Sequence, residues 1–376
     1  MRVLVAPNAF KSCIGASAAA EALARGFRRA GASSVDLMPV ADGGDGLVEV
    51  LLAVRGGRVR RACVTGPFGT PVRSSFALLK DGSAVIEIAR ASGLALCRGM
   101  RLRPMTATSR GIGELVSRAL ECGARKIYVG LGGSATNDGG AGMASALGVR
   151  FLDARGRELP YGAGALARLS AIDLSGVDRR LSGISVFALT DVRNPLLGPR
   201  GSARVYGPQK GASPAQVEVM EKALSTYARV IRRDTGIAVG RVPGSAAAGG
   251  IAAGLMAFCG AEIADGAALV LKMCGAEQRI RRADLVVTGE GSFDRQTLFG
   301  KAPFAVSELS RRCGKPVAVV AGRVALSGAE LRRNGIIRSV DLSILAGSPD
   351  AAMKNTSRLL EKAAFSLLDD MKKARS

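Results

Sequence analysis

Apolar and polar positions alternate along this chain in two different rhythms. Near the N-terminus a short apolar run at 2–6 predicts a strand, and Pro7 to Gly15 a loop. Ser17 is placed to cap a helix whose apolar face takes Ala20, Leu23, Ala24 and Phe27, with Gly31 just past its end. Val35 to Val40 is a second strand, running into Ala41-Asp-Gly-Gly-Asp-Gly46. Strand, helix and strand at this spacing make a βαβ unit and a parallel sheet. The C-terminal end repeats that rhythm. Asp284 to Thr288 predicts a strand, about Ala305 to Cys313 a helix closed by Gly314, and Pro316 to Val320 another strand. A last strand is expected near Val340 to Leu345, before a helix begun by Ser348-Pro349.

Between the ends the rhythm changes. From Arg58 to Ile88 the residues alternate, with turn signals at Gly66-Pro67 and Asp81-Gly82, which predicts antiparallel or mixed strands. Ser109 is placed to cap a helix to Glu121, closed by Gly123 and followed by an apolar strand at Ile127 to Leu131. Val186 to Thr190 is a further strand. Ser213, Pro214 and Gln216 form a capping box for a helix to about Arg232. The expected architecture is α/β with two domains. A parallel-sheet, Rossmann-like domain takes 1–65 and 282–376 from both chain ends, and a mixed-sheet α/β domain is inserted over 66–281.

Polar residues gather where the strands end: Asn8 and Lys11, Asp42 and Asp45, Asp191 and Asn194, Glu290 and Asp294. Ligands of open α/β sheets bind beyond those ends. The longest such loop, Gly132-Gly-Ser-Ala-Thr-Asn-Asp-Gly-Gly140, suits an oxyanion or phosphate. Its glycines permit close backbone approach, its amides are expected to form a nest, and the helix-compatible run Ala141 to Leu147 is expected to aim its N-terminus at the ligand. Several carboxylates on such loops suggest Mg²⁺ held through oxygen. Together with a lysine they are the parts of phosphoryl transfer.

Composition narrows the chemistry. The 376 residues include no histidine, which removes His-based triads, general bases and metal ligands. Proton transfer falls to Asp, Glu, Lys, Cys or Tyr. Seven cysteines without a C-x-x-C pair fit reduced thiols and a cytoplasmic protein. The net charge of +22 raises nucleic-acid binding as an alternative, but the arginines are scattered and carry no interleaved aromatics. A positive surface that draws in anionic substrates is the reading preferred. The run Val242 to Ala261 is uncharged but rich in Gly, Ala and Ser, so it reads as a glycine loop and small-residue helix, not a membrane span. No G-x-x-x-x-G-K-[ST] occurs, and a kinase H-R-D is impossible without histidine.

Ala6-Pro-Asn-Ala-Phe-Lys-Ser-Cys-Ile14 is similar to the A-P-D-S-F-K-G-S-L opening of the bacterial glycerate kinases, the two-domain type without a P-loop. Pro39-Val-Ala-Asp-Gly-Gly-Asp-Gly46 resembles their P-M-A-D-G-G-E-G, and Gly132 to Met143 their most recognisable segment. Asp191 to Gly198, Tyr206-Gly-Pro-Gln-Lys-Gly211, Ala248-Gly-Gly250, Thr288 to Gly291, Asp294-Arg-Gln-Thr297 and Gly300-Lys301 follow in order. The resemblance implies ATP-dependent phosphorylation of D-glycerate with Mg²⁺, with 2-phosphoglycerate the favoured product. Carried over position by position, it puts Lys11, Asp42, Asp191 and Asp294 at the catalytic centre in an inter-domain cleft. Contacts to substrate or phosphate are expected from Asn8, Gly132, Gly133, Ser134, Ala135, Thr136, Asn137, Asn194, Gly289 and Glu290, and Mg²⁺ is expected at Asp42, Asp45 and Asp191. Asn8-Ala9 and Ser12-Cys13 depart from the family's Asp-Ser and Gly-Ser, and Asp45 from its Glu. Asn8 cannot act as a base, which moves that role to Asp42 or Asp191. The expected partners are ATP and D-glycerate alone, with no nucleic acid or membrane, for a monomer or homodimer. A kinase of another small hydroxy or sugar acid is the alternative within the fold.

Overall fold

The computed structural model describes residues 1–373, so the last three residues of the expected C-terminal segment lie outside the described residues. The chain divides into two compact units. The first takes Met1–Asp42, Glu49–Arg55 and Gly266–Ser376, and the second Gly43–Val48 and Gly56–Asp265.

The first unit is built on a five-stranded parallel sheet. Its spatial order is Ile336–Asp341, Val317–Ala321, Leu285–Gly289, Arg2–Pro7 and Ser34–Leu37. Strands from the two chain ends lie side by side at its centre, with Ala6 opposite Thr288 and Pro7 opposite Gly289. The two inner strands from 285 and 317 are buried throughout and apolar but for Thr288, whose hydroxyl donates to the Ala6 carbonyl, as a sheet covered on both faces requires. Helices Ala16–Arg29 and Thr356–Lys373 cover one face, where Leu23 and Phe27 meet Leu360 and Ala364. Gly26 makes this crossing tight: a Cβ there would stand 2.1 Å from the Glu361 carbonyl oxygen. Arg25 and Arg29 close the contact on the Glu361 carboxylate, at 3.0 and 2.7 Å.

The second unit carries a six-stranded mixed sheet in the order Glu262–Asp265, Ser185–Thr190, Lys126–Gly130, Ala84–Glu87, Pro71–Leu79 and Gly57–Thr65. Its first four strands are parallel, and the last two complete it antiparallel. Helix Pro214–Thr235 begins with the expected capping box of Ser213 and Gln216. Helix Ala247–Cys259 is buried along nearly its whole length, so the uncharged run at 242–261 is a core element. Among the described residues no helix is long and apolar enough to cross a membrane.

The α/β class, the parallel sheet drawn from both chain ends and the mixed second sheet agree with the sequence reading. The limits of the units fall elsewhere. Strand Gly57–Thr65 pairs along all its length with Pro71–Leu79, which moves the expected boundary at 66 back to 56. Helices Gly266–Met273 and Ala276–Arg282 belong to the first unit, where Arg279 pairs with Asp36, so the expected boundary at 281 moves to 265. The strand expected at 340–345 is instead Ile336–Asp341, because Asp341 caps a new helix by accepting from the Ser343 and Ile344 amides. Ser17 caps nothing: its helix starts at Ala16 behind Gly15, and its hydroxyl is buried without a partner. Helix Leu47–Arg55, which buries Leu47, Val50 and Leu51, has no counterpart among the expected elements.

Candidate active site

Each unit holds a cavity at the carboxyl end of its parallel strands. In the first unit the cavity measures about 350 Å³, and much of its wall follows strand ends. Ala9 to Lys11 come after the first strand, Glu290 to Ser292 after the strand at 285, and Gly322 and Arg323 after the strand at 317. Phe10, Leu342, Ala352 and Met353 make one side apolar, while Lys11, Asp42, Glu290 and Lys301 make the other charged.

The polar side is organised by short bonds. Asn8 is buried; its amide oxygen accepts from the Ala9 N–H at 2.8 Å and its amide nitrogen donates to Asp42 at 3.2 Å. Asn8 therefore orients the Asp42 carboxylate, a role that needs no negative charge of its own. Glu290 is also buried, accepts from the Thr297 hydroxyl at 2.6 Å and faces the Lys301 ammonium at 3.7 Å. Burial pushes its pKa up, with the charges of Asp42 and Asp294 in the same direction, while Thr297 and Lys301 oppose. Asp294 holds the turn that carries Thr297, accepting from the Gln296 amide at 2.8 Å and the Thr297 amide at 3.3 Å. It stands behind Glu290 and does not line the cavity. Gly289 is buried as the last residue of its strand.

The second unit's cavity is smaller, about 190 Å³, and more polar. It is lined by Gly132, Gly133 and Ser134 of the glycine-rich loop, by Thr190 and Asp191 after the strand at 185, and by Tyr206, Gln209 and Lys210. The Asp45 carboxylate comes within 3.6 Å of where a Gly133 Cβ would stand, so Asp45 lies beside this loop. Asn194 is one step back: it accepts from the Tyr206 hydroxyl at 3.0 Å and donates to the Arg200 carbonyl, fixing the Tyr206 ring. Burial first, and then the Asp191 charge, push the Tyr206 pKa up.

The loop itself is held more firmly than a free nest would be. Asp138 is fully buried and accepts from the Ser109 amide and hydroxyl at 2.8 Å, and from the Gly140 and Gly142 amides at 3.1 and 3.2 Å. The Ala135 amide goes to Ser92, and the Met143 amide to the Ser109 hydroxyl. The N-terminus of helix Ala141–Ala146, expected to face a ligand, is thus occupied by Asp138 and Ser109. This also explains why Ser109, at its own helix's N-cap position, makes no cap bond there. Ala135, Thr136 and Asn137 are buried behind the cavity wall, and the Thr136 hydroxyl and the Asn137 amide nitrogen have no partner. Ala248, Gly249 and Gly250 run consecutively through left-handed geometry against them. A Cβ on Gly249 would stand 1.8 Å from the Thr136 carbonyl oxygen, so the position requires glycine.

Lys210 lies within the Tyr206–Gly211 motif, and its sequence context assigns it no role. The fold seats it behind the loop, fully buried, with Nζ donating to the Ser134 hydroxyl at 2.8 Å and to the Thr136 carbonyl at 2.6 Å. A residue 76 positions from its partner leaves no local signal. Thr297 and Lys301, within matched motifs but without a role there, reach Glu290 only once their turn folds back, and Gln209 reaches the cavity only once the strand ends meet.

Among the described residues no three acidic or cysteine side chains come together as a metal cage. Asp42, Asp45 and Asp191 therefore form no three-carboxylate site by themselves. Asp42 and Glu290 on one cavity wall are nevertheless hard oxygen donors of the kind Mg²⁺ uses when phosphates complete its shell.

Sheets whose carboxyl edges carry lysines, carboxylates and a Gly-Ser-Thr loop, without a P-loop, define an α/β kinase of alcohol acceptors outside the two large nucleotide-binding classes. The chain belongs to the glycerate kinase family, whose model matches residues 3–372. It is 41% identical over its full length to the whole of the Escherichia coli K12 protein named glycerate 2-kinase. It is 39% identical over its full length to the Bacillus subtilis glycerate kinase, covering 99% of that protein. A crystal structure from Salmonella typhimurium LT2, described as a glycerate kinase 2, superposes with a TM-score of 0.87 at 38% identity, over 100% of this chain and 99% of that one.

Proposed function

We propose that this enzyme transfers the terminal phosphoryl group of ATP to a hydroxyl of D-glycerate, giving 2-phosphoglycerate. The observation that carries the acceptor's identity is the size and lining of the second unit's cavity. Pockets for drug-sized ligands run to about 300–1,000 Å³. A cavity of 190 Å³ lined by Ser134, Thr190, Asp191 and Lys210 suits an anion of few atoms that carries hydroxyls. The larger cavity of the first unit suits the nucleotide, with its base against Phe10, Leu342 and Met353 and its phosphates toward Lys11 and Lys301.

In this reading Asp191, a carboxylate at the small cavity, accepts the proton of the attacking hydroxyl in a chain without histidine. Lys11 and Lys301 neutralise charge on the transferring phosphoryl group. Asp42, oriented by Asn8, and Glu290 would hold Mg²⁺ together with phosphate oxygens. When bound, Mg²⁺ would supply electrostatic stabilisation to the β- and γ-phosphates. The 2-phosphoglycerate product is favoured by the full-length relative named glycerate 2-kinase.

The test is coupled ADP release from ATP with D-glycerate and a panel of hydroxy and sugar acids, with and without Mg²⁺, the product being identified by NMR. Selective Mg²⁺-dependent turnover of D-glycerate to the 2-phosphate supports the reading. Turnover only of a larger acid overturns the substrate and keeps the chemistry. Phosphate on the other hydroxyl overturns the product alone.

A further inference from the structure

The buried lysine of the second unit has an unusual set of partners. Lys210 Nζ meets the Ser134 hydroxyl, the Thr136 carbonyl and, at 3.5 Å, the Asn137 amide oxygen, all of them neutral. Only 2% of the residue is exposed, and a Cβ on Gly249 would stand 2.9 Å from Nζ, so helix Ala247–Cys259 closes over it from behind. A buried cation held only by neutral oxygens is costly unless a counter-charge arrives. Lys210 itself forms part of the wall of the 190 Å³ cavity.

The bond to Ser134 has a second consequence. A serine hydroxyl has one proton and two lone pairs. Accepting from Nζ uses a lone pair and leaves the proton to be donated elsewhere, and Ser134 lines the cavity beside Gly132 and Gly133. We propose that Lys210 is the specificity residue for the acceptor's carboxylate, supplying the charge that the carboxylate neutralises and turning the Ser134 hydroxyl into a donor toward it. This rests on the reading of the second cavity as the acceptor site.

Titration supports the same geometry. Burial pushes Lys210 down to about 7 against the charge of Asp138. Asp138 also acts on Tyr227, whose pKa burial pushes up, and Asp191 and Tyr206 line the same cavity as Lys210. An incoming carboxylate favours the ammonium and so draws in a proton.

The experiment is calorimetric binding of D-glycerate to the intact protein at pH 8, in buffers of different ionisation enthalpy. Tartronate serves as a second anion, and glyceramide as the uncharged analogue. The wild type is expected to take up on the order of one proton with either anion and none with glyceramide. Lys210→Met is expected to abolish the uptake and weaken D-glycerate binding by about 10- to 100-fold. It should leave glyceramide and ATP binding within a few-fold. Ser134→Ala should weaken the anion a few-fold and keep the uptake. Anion binding to the wild type without uptake overturns the assignment, a result that does not depend on any variant folding. So does equal weakening of glycerate and glyceramide in Lys210→Met, uptake triggered by inorganic phosphate or ATP instead, or no binding of either acid. Proton-coupled binding without ADP release would instead keep Lys210 in its role and overturn the proposed reaction.

Discussion

The two cavities solve one problem, holding an anionic reactant, in opposite ways. In the second unit the organising charges are fully buried: Asp138 ties Ser109, Gly140 and Gly142 together, and Lys210 ties Ser134 to Thr136. In the first unit the key lysine is exposed on a loop, Asp42 is half-buried, and only Asn8 and Glu290 are buried behind them. A site built from buried charges makes stability and function inseparable. A site built from loop side chains over an apolar wall lets them come apart. Replacing Asp138 with alanine is the severest test of that difference, because four donors would lose a buried acceptor at once. The expected loss is about 3 kcal/mol or more, with activity falling alongside. Urea unfolding followed by turnover measures both, and a stable Asp138→Ala enzyme with full activity would erase the contrast.

Asp191 and Lys11 sharpen the contrast from the other side. Asp191 is exposed at the mouth of the small cavity, so Asp191→Asn should unfold at the wild-type urea midpoint. As the proposed base it should lower kcat by about 10²- to 10⁴-fold, with KM for the acid much less affected. Lys11→Ala removes an exposed side chain, and its stability should stay within about 0.5 kcal/mol of the wild type. Its kcat/KM for ATP should fall by roughly 10- to 100-fold, the worth of one charge-assisted contact to phosphate. Thermal melts beside the kinetics decide the point: a Lys11→Ala variant that loses stability but not activity would place Lys11 in the scaffold.

What the sequence made legible follows the same division. Strand ends, helix punctuation and the polar loops are local signals, and the parallel sheet from both chain ends came from them directly. Ser213 and Gln216 form the box that their spacing predicts. Ser109 occupies the expected position with a different bond, because the local cap competes with a buried carboxylate 29 residues away. The partnerships of Lys210 with Ser134, of Asn8 with Asp42 and of Thr297 with Glu290 arise only when separate strand ends meet, or when a turn folds back. The glycine-rich loop shows both limits at once. Its position at a cavity was readable from composition, while the burial of Thr136, Asn137 and Asp138 behind the wall was not.

The mildest effect belongs to Glu290, the one strongly buried carboxylate of the first unit's cavity wall, and its sign can be worked out. Its folded pKa lies above the ordinary 4.5, chiefly because burial disfavours the charged form. A carboxyl shifted upward lends stability below its unfolded pKa and loses it as pH rises through the folded value. At pH 8 the ionised group is therefore a burden on the fold. Glu290→Gln keeps an oxygen to accept from Thr297 and removes that burden, so its urea midpoint should exceed the wild type's at pH 8 and match it near pH 4. Activity should move the other way, since the variant loses a charge that the proposed nucleotide site uses. A Glu290→Gln protein less stable at pH 8 would mean that the Lys301 pair at 3.7 Å outweighs burial. The first unit would then be organised by a buried charge after all, as the second unit is.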